Sequence, residues 1–396
     1  MTDAPRTPSE KLTQELAAAV TADAAAAAPM GLSPSALAWR RLRKNRAAMF
    51  GALVLLALYL VTALGSFIAP VSPAAGDYDH PNHPPTLPRF VDEKGKFHAR
   101  PFVYGMRMND PVRQNYQYDV NQKYPLRFLV RGEPYKLWWI IPTDLHLFGV
   151  EKPGIVALFG TDSVGKDVFS RVIEGGKISL SIGLVGISIS LLAGMFMGSL
   201  AGYFGGWTDR LIMRLVEFLL SIPTLYLIIA LRAYFQTQTV LGIGGRNMSS
   251  TQMYLIIVVI LAFVGWAGQA RVVRGMVLAI KEFDFITAER ALGASTFRII
   301  TRHILPNTLS YVVISATIAV PGYILGEVAL SYLGVGIQEP QVSWGIMLED
   351  AQSLSTITNQ PWLLFAPAAL IFITVFAFNF LGDGLRDAID PHQQRK

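Results

Sequence analysis

One stretch near the middle of the chain has residue types that could bind a nucleotide. The sequence GTDSVGKD, residues 160–167, matches the phosphate-loop pattern G-x-x-x-x-G-K-[ST] except at the last position, where Asp167 replaces the hydroxyl. Such a loop holds phosphate on backbone amides and uses its Lys and Ser/Thr for phosphate and magnesium. Because a carboxylate would repel phosphate there, we expect no nucleotide-binding site. We also expect no catalytic site, since nothing else in the chain assembles one.

A second cluster of polar residues resembles a metal site. His80 and His83 are spaced i, i+3, with Asp77 and Asp79 nearby. Three neighbouring prolines prevent the helix that would place both imidazoles on one side. We therefore expect a solvated, proline-rich linker and no metal. The absence of Cys excludes a thiolate metal site or disulfide framework, and we expect no cofactor.

The composition is that of a membrane protein. The 396 residues are 52% hydrophobic and only 16% charged, with a mean hydropathy of +0.39, against roughly 25% charged in soluble domains. Runs of about 17–25 apolar residues are long enough to cross a bilayer as helices. Six such runs predict an all-α polytopic protein with six spans: Ala47–Ala69, Ile178–Gly202, Leu215–Leu231, Met253–Ala270, Leu309–Leu330 and Trp362–Gly382.

Basic residues predict the orientation, since short cytoplasmic loops are enriched in Lys and Arg. Five basic residues lie in WRRLRKNR, just before the first span, and six lie between spans four and five. Residues 331–361, between spans five and six, contain none. We therefore expect both termini in the cytoplasm, and residues 160–167 on the outer face, away from ATP.

The chain divides around these spans. We expect a partly disordered cytoplasmic tail over 1–46, a first span over 47–69, an outer insertion over 70–177, a core helical membrane domain over 178–391 and a short cytoplasmic tail over 392–396. Within the insertion, YPLRFLV and YKLWWIIP predict short strands of a small exposed subdomain. Trp138 and Trp139 are interpreted as packing or interfacial anchors.

The segment 281–307 combines charged and apolar residues at helical spacing. It predicts a short amphipathic helix over Glu282–Leu292, a bend at Gly293, a second helix and a proline, Pro306, leading into the fifth span. Such a segment displays an amphipathic surface between two spans. The alternative is a membrane-surface helix that only connects them.

This segment resembles the coupling motif of ATP-binding-cassette importer permeases, which reads Glu-Ala-Ala, three residues, Gly, nine residues, Ile, one residue, Leu-Pro. The Gly and Leu-Pro slots match here, whereas Thr287 and Glu289 depart from the pattern and His303 occupies the Ile slot. GTDSVGKDVFSRVIEGGKISLSIGLVG, GYILGEVALSYLGVGIQEP and FNFLGDGLRDAIDP are similar to the oligopeptide/dipeptide permease C-type subunits. The resemblance covers residues 160–391 and, more loosely, 35–65.

The resemblance implies a type I importer permease fold and half of a translocation pathway, with no enzymatic activity of its own. Its implied partners are a homologous second permease subunit, two cytoplasmic ATPase subunits, an extracytoplasmic solute-binding protein and the lipid bilayer, but no nucleic acid. Peptides are the implied substrate, although related permeases carry nickel chelates, sugars or opines. The implied ATPase-coupling motif consists of Thr287, Ala288, Glu289, Arg290, Ala291, Leu292, Gly293, Ile304, Leu305 and Pro306.

Ionisable residues within spans are costly and therefore informative. We expect Glu217 to pair with a nearby arginine and Arg232 to reach the outer interface. Glu327 and Glu339 are candidates for an outer gate or a docking face for the binding protein. For Glu327, a carboxylate that simply faces water is the alternative.

Small residues and prolines in the spans predict packing and bends. Pro223 and Pro321 are candidate kinks, with a static packing role as the alternative. Small-residue spacing in the second span predicts close helix contacts at Gly183, Gly186, Gly194, Gly198 and Gly202.

Two other functional classes fit this sequence less well. A secondary transporter would need its own coupling-ion site, usually polar groups at the membrane midplane, which four uncharged spans disfavour. A membrane-anchored enzyme or binding module would use the insertion as its working part, but anchoring needs only one span.

Overall fold

The computed structural model describes residues 34–110, 115–138, 140–237 and 249–389. Residues 1–33 of the tail expected over 1–46, the tail expected over 392–396, and Trp139 lie outside the described residues. The membrane part is helical, as predicted. Its helices are α1 (Pro34–Lys44), α2 (Arg46–Ala63), α3 (Gly65–Ile68), α4 (Val168–Phe204), α5 (Gly206–Ser221), α6 (Thr224–Thr237), α7 (Ser250–Ile280), α8 (Asp284–Ala291), α9 (Thr296–Tyr332), α10 (Trp344–Asp350), α11 (Leu354–Asn359) and α12 (Trp362–Ile389).

Five of the described helices are long and apolar enough to cross a membrane: α2, α4, α7, α9 and α12. The third predicted span, Leu215–Leu231, straddles a break between α5 and α6, where the chain bends by 95°. Pro223 lies at this break and cannot donate an intrahelical hydrogen bond, so the expected kink there is confirmed. The bent pair makes a sixth span if both helices are counted as one.

Helix α9 contains a π-helical turn over Ile300–Ile304, just before Pro306. The Leu305 amide bonds to the Ile300 carbonyl, and Pro306 supplies no amide of its own. Pro321 lies inside the same helix. The largest apolar core lies between α4, α7, α9, α10 and α12.

The insertion contains two small antiparallel sheets, formed by residues 89–149. The first sheet contains β1 (Arg89–Val91), β2 (Phe97–Asp110) and β3 (Asn115–Pro125), and the second is a hairpin of β4 (Arg127–Leu137) and β5 (Ile141–Gly149). The strand expectation from the two aromatic stretches is therefore confirmed for the residues described. The longest pair, β2 with β3, has no counterpart in that expectation.

The glycines of α4 allow two other helices to approach its backbone closely. Gly194, Gly198 and Gly202 face successive turns of α7, which runs parallel to α4, whereas Gly183 and Gly186 face α9. A Cβ atom at Gly198 would lie 2.6 Å from the Ala270 carbonyl oxygen and 2.8 Å from the Val273 Cβ. The predicted role of this glycine stripe in close helix contacts is confirmed.

Gly198→Val should therefore destabilise the fold, because overpacking of a tight contact costs about 1–3 kcal/mol. The matched control is Gly268→Val in α7, where an added Cβ meets nothing within 4 Å. Retention of monodisperse protein after heating in detergent would measure both. Equal apparent melting temperatures for the two variants would contradict close packing at Gly198.

Candidate functional site

The segment between α7 and α9 forms the predicted helix, bend and second helix. Helix α8 begins at Asp284, two residues later than expected, and is capped at its end by Leu292. Gly293 then takes a φ of 82°, in the left-handed region, which residues with a Cβ adopt only at a cost. Ser295 caps the start of α9 by accepting a hydrogen bond from the Arg298 amide. The glycine is thus what allows the chain to reverse here.

Apolar packing holds this segment against the spans. Ile286 of α8 is fully buried. It belongs to a cluster formed with Val273, Val277 and Ile280 of α7 and Ile299, Ile304 and Val312 of α9. Sequence reasoning identified Ile304 but missed Ile286, which the amphipathic spacing of 283–291 could have revealed. The segment is therefore a packed element and not a free connecting loop.

Two side-chain contacts add to that packing. The Arg290 guanidinium lies over the Tyr203 ring at the end of α4, 5.1 Å from its centroid. Glu289 Oε1 lies 3.4 Å from His303 Nε2 in α9. Glu289 and His303 both occupy slots in which the sequence departs from the coupling pattern, and they contact each other across the Gly293 bend. The Glu289 carboxylate is thus directed toward its own chain.

The opposite side of the segment is exposed and partly apolar. Leu292 is 84% exposed and Phe297 is 76% exposed. Phe283 and Phe285 are exposed beside them. The exposed motif residues are Thr287, Ala288, Arg290, Ala291, Leu292, Gly293 and Pro306, whereas Glu289 and Leu305 are half-buried. Apolar side chains displayed together in this way mark interaction surfaces.

At the other membrane face, residues 160–167 form a tight turn that leads into α4. Gly160 and Gly165 both take a φ of 76°. Asp162 Oδ1 accepts hydrogen bonds from the amides of Val164 (3.0 Å) and Lys166 (2.8 Å). Asp167 caps α4 by accepting a hydrogen bond from the Ser170 amide at 2.8 Å. The loop thus uses its own side chains to form a turn and a helix cap.

A buried arginine that sequence reasoning missed organises the charges around this turn. The Arg171 side chain is 3% exposed and contacts Asp162, Asp350 (3.0 Å) and Glu339 (3.3 Å). Lys166 Nζ also lies 2.6 Å from Glu339. We call these five residues the outer charge network, after the membrane face on which the sequence predicts residues 160–167. It joins the start of α4 to residues 333–361, between α9 and α12.

Unequal environments shift the pKa values of Glu339 and Asp350 in opposite directions. The hydrogen bond from Lys166 holds the pKa of Glu339 below its usual range. Burial raises the pKa of Asp350, against the opposing influence of Arg171. Arg171 carried no motif signal of its own, because its partners lie up to 179 residues away along the chain.

Glu327 lies inside the protein, and its carboxylate does not face water. It is 0% exposed and accepts hydrogen bonds from Ser331 at 2.7 Å and Ser179 at 3.0 Å. The expectation of a water-facing or partner-facing carboxylate at Glu327 is therefore wrong, because α4 and α10 pack over it. Glu339, in contrast, is half-exposed.

The remaining sequence candidates are simpler. Glu217 lies 3.4 Å from Arg214 on an exposed helix face, as expected of a local pair.

The two histidines of the suspected metal cluster have different surroundings. His80 contacts Asp77 at 2.9 Å, whereas His83 is buried against Tyr116. Burial lowers the pKa of His83 to about 4. No three potential metal ligands cluster among the described residues. The side chain of Arg232 lies outside the part of the chain that the structure describes.

The spans and the anchored segment between them define a polytopic membrane protein with an exposed, partly apolar surface at one end of its helices. The chain belongs to the family of binding-protein-dependent transport system inner membrane components, whose model matches residues 191–395. The N-terminal transmembrane domain of oligopeptide transport permease C matches residues 33–85. The resemblance to the peptide permease C-type subunits is thus confirmed, and the chain is an integral inner-membrane permease subunit.

Similar proteins carry related names. The dipeptide transport system permease protein DppC of Bacillus subtilis is 34% identical over 90% of this chain and 86% of its own length. The oligopeptide transport system permease protein OppC of Haemophilus influenzae is 43% identical over 59% of this chain and 70% of its own. A solved inward-facing MetNI methionine ABC transporter covers 56% of this chain and 96% of its own at 20% identity, with a TM-score of 0.42.

The Asp167 cap should make stability depend on pH. Burial raises the pKa of this carboxyl to about 6 in the folded protein, whereas an unfolded Asp titrates near about 3.9. Between those values the folded state binds more protons, so stability falls as pH rises. Asp167→Asn removes this dependence. The difference in apparent melting temperature, variant minus native, should increase from about pH 4 to about pH 6 and then level off.

The control for this measurement is Glu93→Gln, which neutralises an exposed carboxylate of the insertion. Its melting temperature should track that of the native protein across the same pH range. A difference for Asp167→Asn that stays constant over that range would show that the cap does not titrate as its burial implies.

Proposed function

We propose that this chain is the permease subunit of an ATP-driven importer of oligopeptides or dipeptides, and that it forms half of the translocation pathway. The observation that carries the proposal is the exposed apolar surface of residues 283–297 on a segment packed firmly against α7 and α9. Similar proteins are named as permeases for dipeptides, oligopeptides or glutathione. These names favour a peptide as the substrate.

The partners follow from this assignment. A cytoplasmic ATPase subunit would bind α8, where Ala288 and Ala291 permit close approach and Leu292 and Phe297 supply apolar contact. Two such ATPase subunits and a homologous second permease complete the complex, and an extracytoplasmic binding protein delivers the solute. The outer charge network, with Glu339 half-exposed, is the candidate surface for that protein or for an outer gate.

Coupling would use the contacts already described. Movement of the docked α8 displaces Ile286, which is packed between α7 and α9. Arg290 carries the same displacement to Tyr203 at the end of α4. A rigid, anchored helix transmits such motion better than a flexible loop, because it leaves few internal degrees of freedom to absorb it. ATP hydrolysis takes place on the partner subunits, and this chain performs no covalent chemistry.

The topology belongs to the same proposal. The basic residues before α2 and the six within residues 271–302 favour cytoplasmic termini and a cytoplasmic α8. The insertion and the outer charge network then face outward. Transport of another solute, such as a nickel chelate, sugar or opine, remains the alternative within the family. An ATPase-independent secondary transporter is the alternative outside it.

Blocking the bend should uncouple the complex. Gly293→Val forces a β-branched residue into the left-handed region, where even an ordinary L residue costs roughly 1–2 kcal/mol, so α8 would leave its docking position. We expect loss of substrate-stimulated ATPase activity in the assembled complex with normal membrane insertion. Gly275→Val, in the helix interior of α7 with no atom near its added Cβ, is the matched control. Unchanged stimulation by the Gly293 variant would refute the coupling role.

Dependence on a separate ATPase can be tested directly. Proteoliposomes that contain this chain and the second permease, without ATPase subunits, should not take up labelled dipeptide from a loaded binding protein. Adding the ATPase subunits and ATP should restore uptake. Uptake that follows an ion gradient without ATPase subunits would favour the secondary transporter.

A further inference from the structure

The tip of the β4–β5 hairpin exposes large apolar side chains. Trp138 is 52% exposed, Ile140 is 81% exposed and Ile141 is 49% exposed. We call these three residues the hairpin tip. The surrounding stretch 134–143 contains no Asp or Glu, and it includes the exposed Lys136. In water, each exposed apolar Å² costs about 25 cal/mol relative to burial, so a tip of this composition favours a nonaqueous contact.

The hairpin tip is attached to the end of a membrane-spanning helix. The Trp138 indole Nε1–H donates a hydrogen bond to the carbonyl oxygen of Ala63, the last residue of α2, at 2.9 Å. Trp138 takes a φ of 52°, which is costly for a bulky residue. Farther up the hairpin, His146 Nδ1 lies 2.6 Å from the Ala69 carbonyl oxygen. Two contacts thus orient the hairpin along α2 and α3.

The contacts of the hairpin with α4 show that its tip points toward the bilayer. At the base, the Phe148 ring lies 5.9 Å from the Phe169 ring, near the start of α4. At the tip, Ala63 follows Thr62, whose methyl group packs against Gly176. Phe169 and Gly176 are seven residues apart in one helix, or roughly 10 Å along its axis. The tip therefore lies roughly that much deeper than the base.

The depth of the tip coincides with a polar boundary. Lys177 Nζ lies 2.8 Å from Glu174 and 2.9 Å from Ser66. The uncharged run of α4 begins at the next residue, Ile178. Tryptophan concentrates at this level of membrane proteins, where its ring is apolar and its N–H finds a polar partner.

We infer that the hairpin tip is a lipid-binding anchor that inserts at the boundary between headgroups and acyl chains beside α2. The two isoleucines enter the apolar side of that boundary, and Lys136 faces the headgroups. The anchor holds the insertion at a fixed height above the membrane. This inference depends on the membrane position of α2 and α4 and is independent of the substrate or ATPase.

A nitroxide label at Ile140→Cys tests the depth of the tip, because the chain contains no other Cys. The full chain is reconstituted in phosphatidylcholine nanodiscs, and collision with oxygen, which partitions into lipid, is compared with collision with a water-soluble nickel chelate. Phe128→Cys is the matched control. It is an exposed apolar residue of the same hairpin, paired with Phe148 at the base.

The oxygen-to-nickel accessibility ratio should be several-fold higher at 140 than at 128. When the lipid is replaced by amphipathic polymer in detergent-free buffer, the difference between the ratios at 140 and 128 should become smaller. Equal ratios at the two positions in nanodiscs would overturn the inference. Protection from both reagents at 140, in the chain alone or with its partner subunits, would also overturn it, because that pattern indicates burial in a protein contact.

Discussion

Close contact of α4 with two other helices is the constraint on which the rest of the structure depends. Lipid provides no hydrophobic force that pushes helices together, so their association relies on tight packing. The glycines of α4 remove side chains where α7 and α9 pass, and the backbones approach accordingly. Without this complementarity, apolar spans would still enter a membrane, but they would not pack in a single arrangement.

The same helix also links the two faces of the molecule. At 37 residues, α4 is about 55 Å long, well beyond a hydrocarbon core of about 30 Å. Its first turn carries Arg171, the centre of the outer charge network. Its last turn carries Tyr203, which contacts Arg290 of α8. A single continuous element thus touches both candidate functional regions.

Patterns within one segment were predictable from sequence, whereas pairings between distant segments were not. Hydropathy located the spans because a bilayer imposes length and composition on each of them separately. The bend at Gly293 was equally predictable, because glycine conformation is a local property. Arg171 and Glu327 were not, since each has a partner far away in sequence: Asp350 for Arg171 and Ser179 for Glu327. Pro223 marked a kink, but its angle of 95° depends on packing around it.

The turn at residues 160–167 explains why a membrane protein can carry a near-copy of a nucleotide-binding motif. Glycines at fixed spacing let consecutive amides converge on one negative charge, and phosphate is the usual occupant of such a nest. Here the charge is Asp162, a residue of the turn itself, and Arg171 neutralises its other oxygen. The loop therefore binds an anion that belongs to its own chain, and its amides are not available to free phosphate.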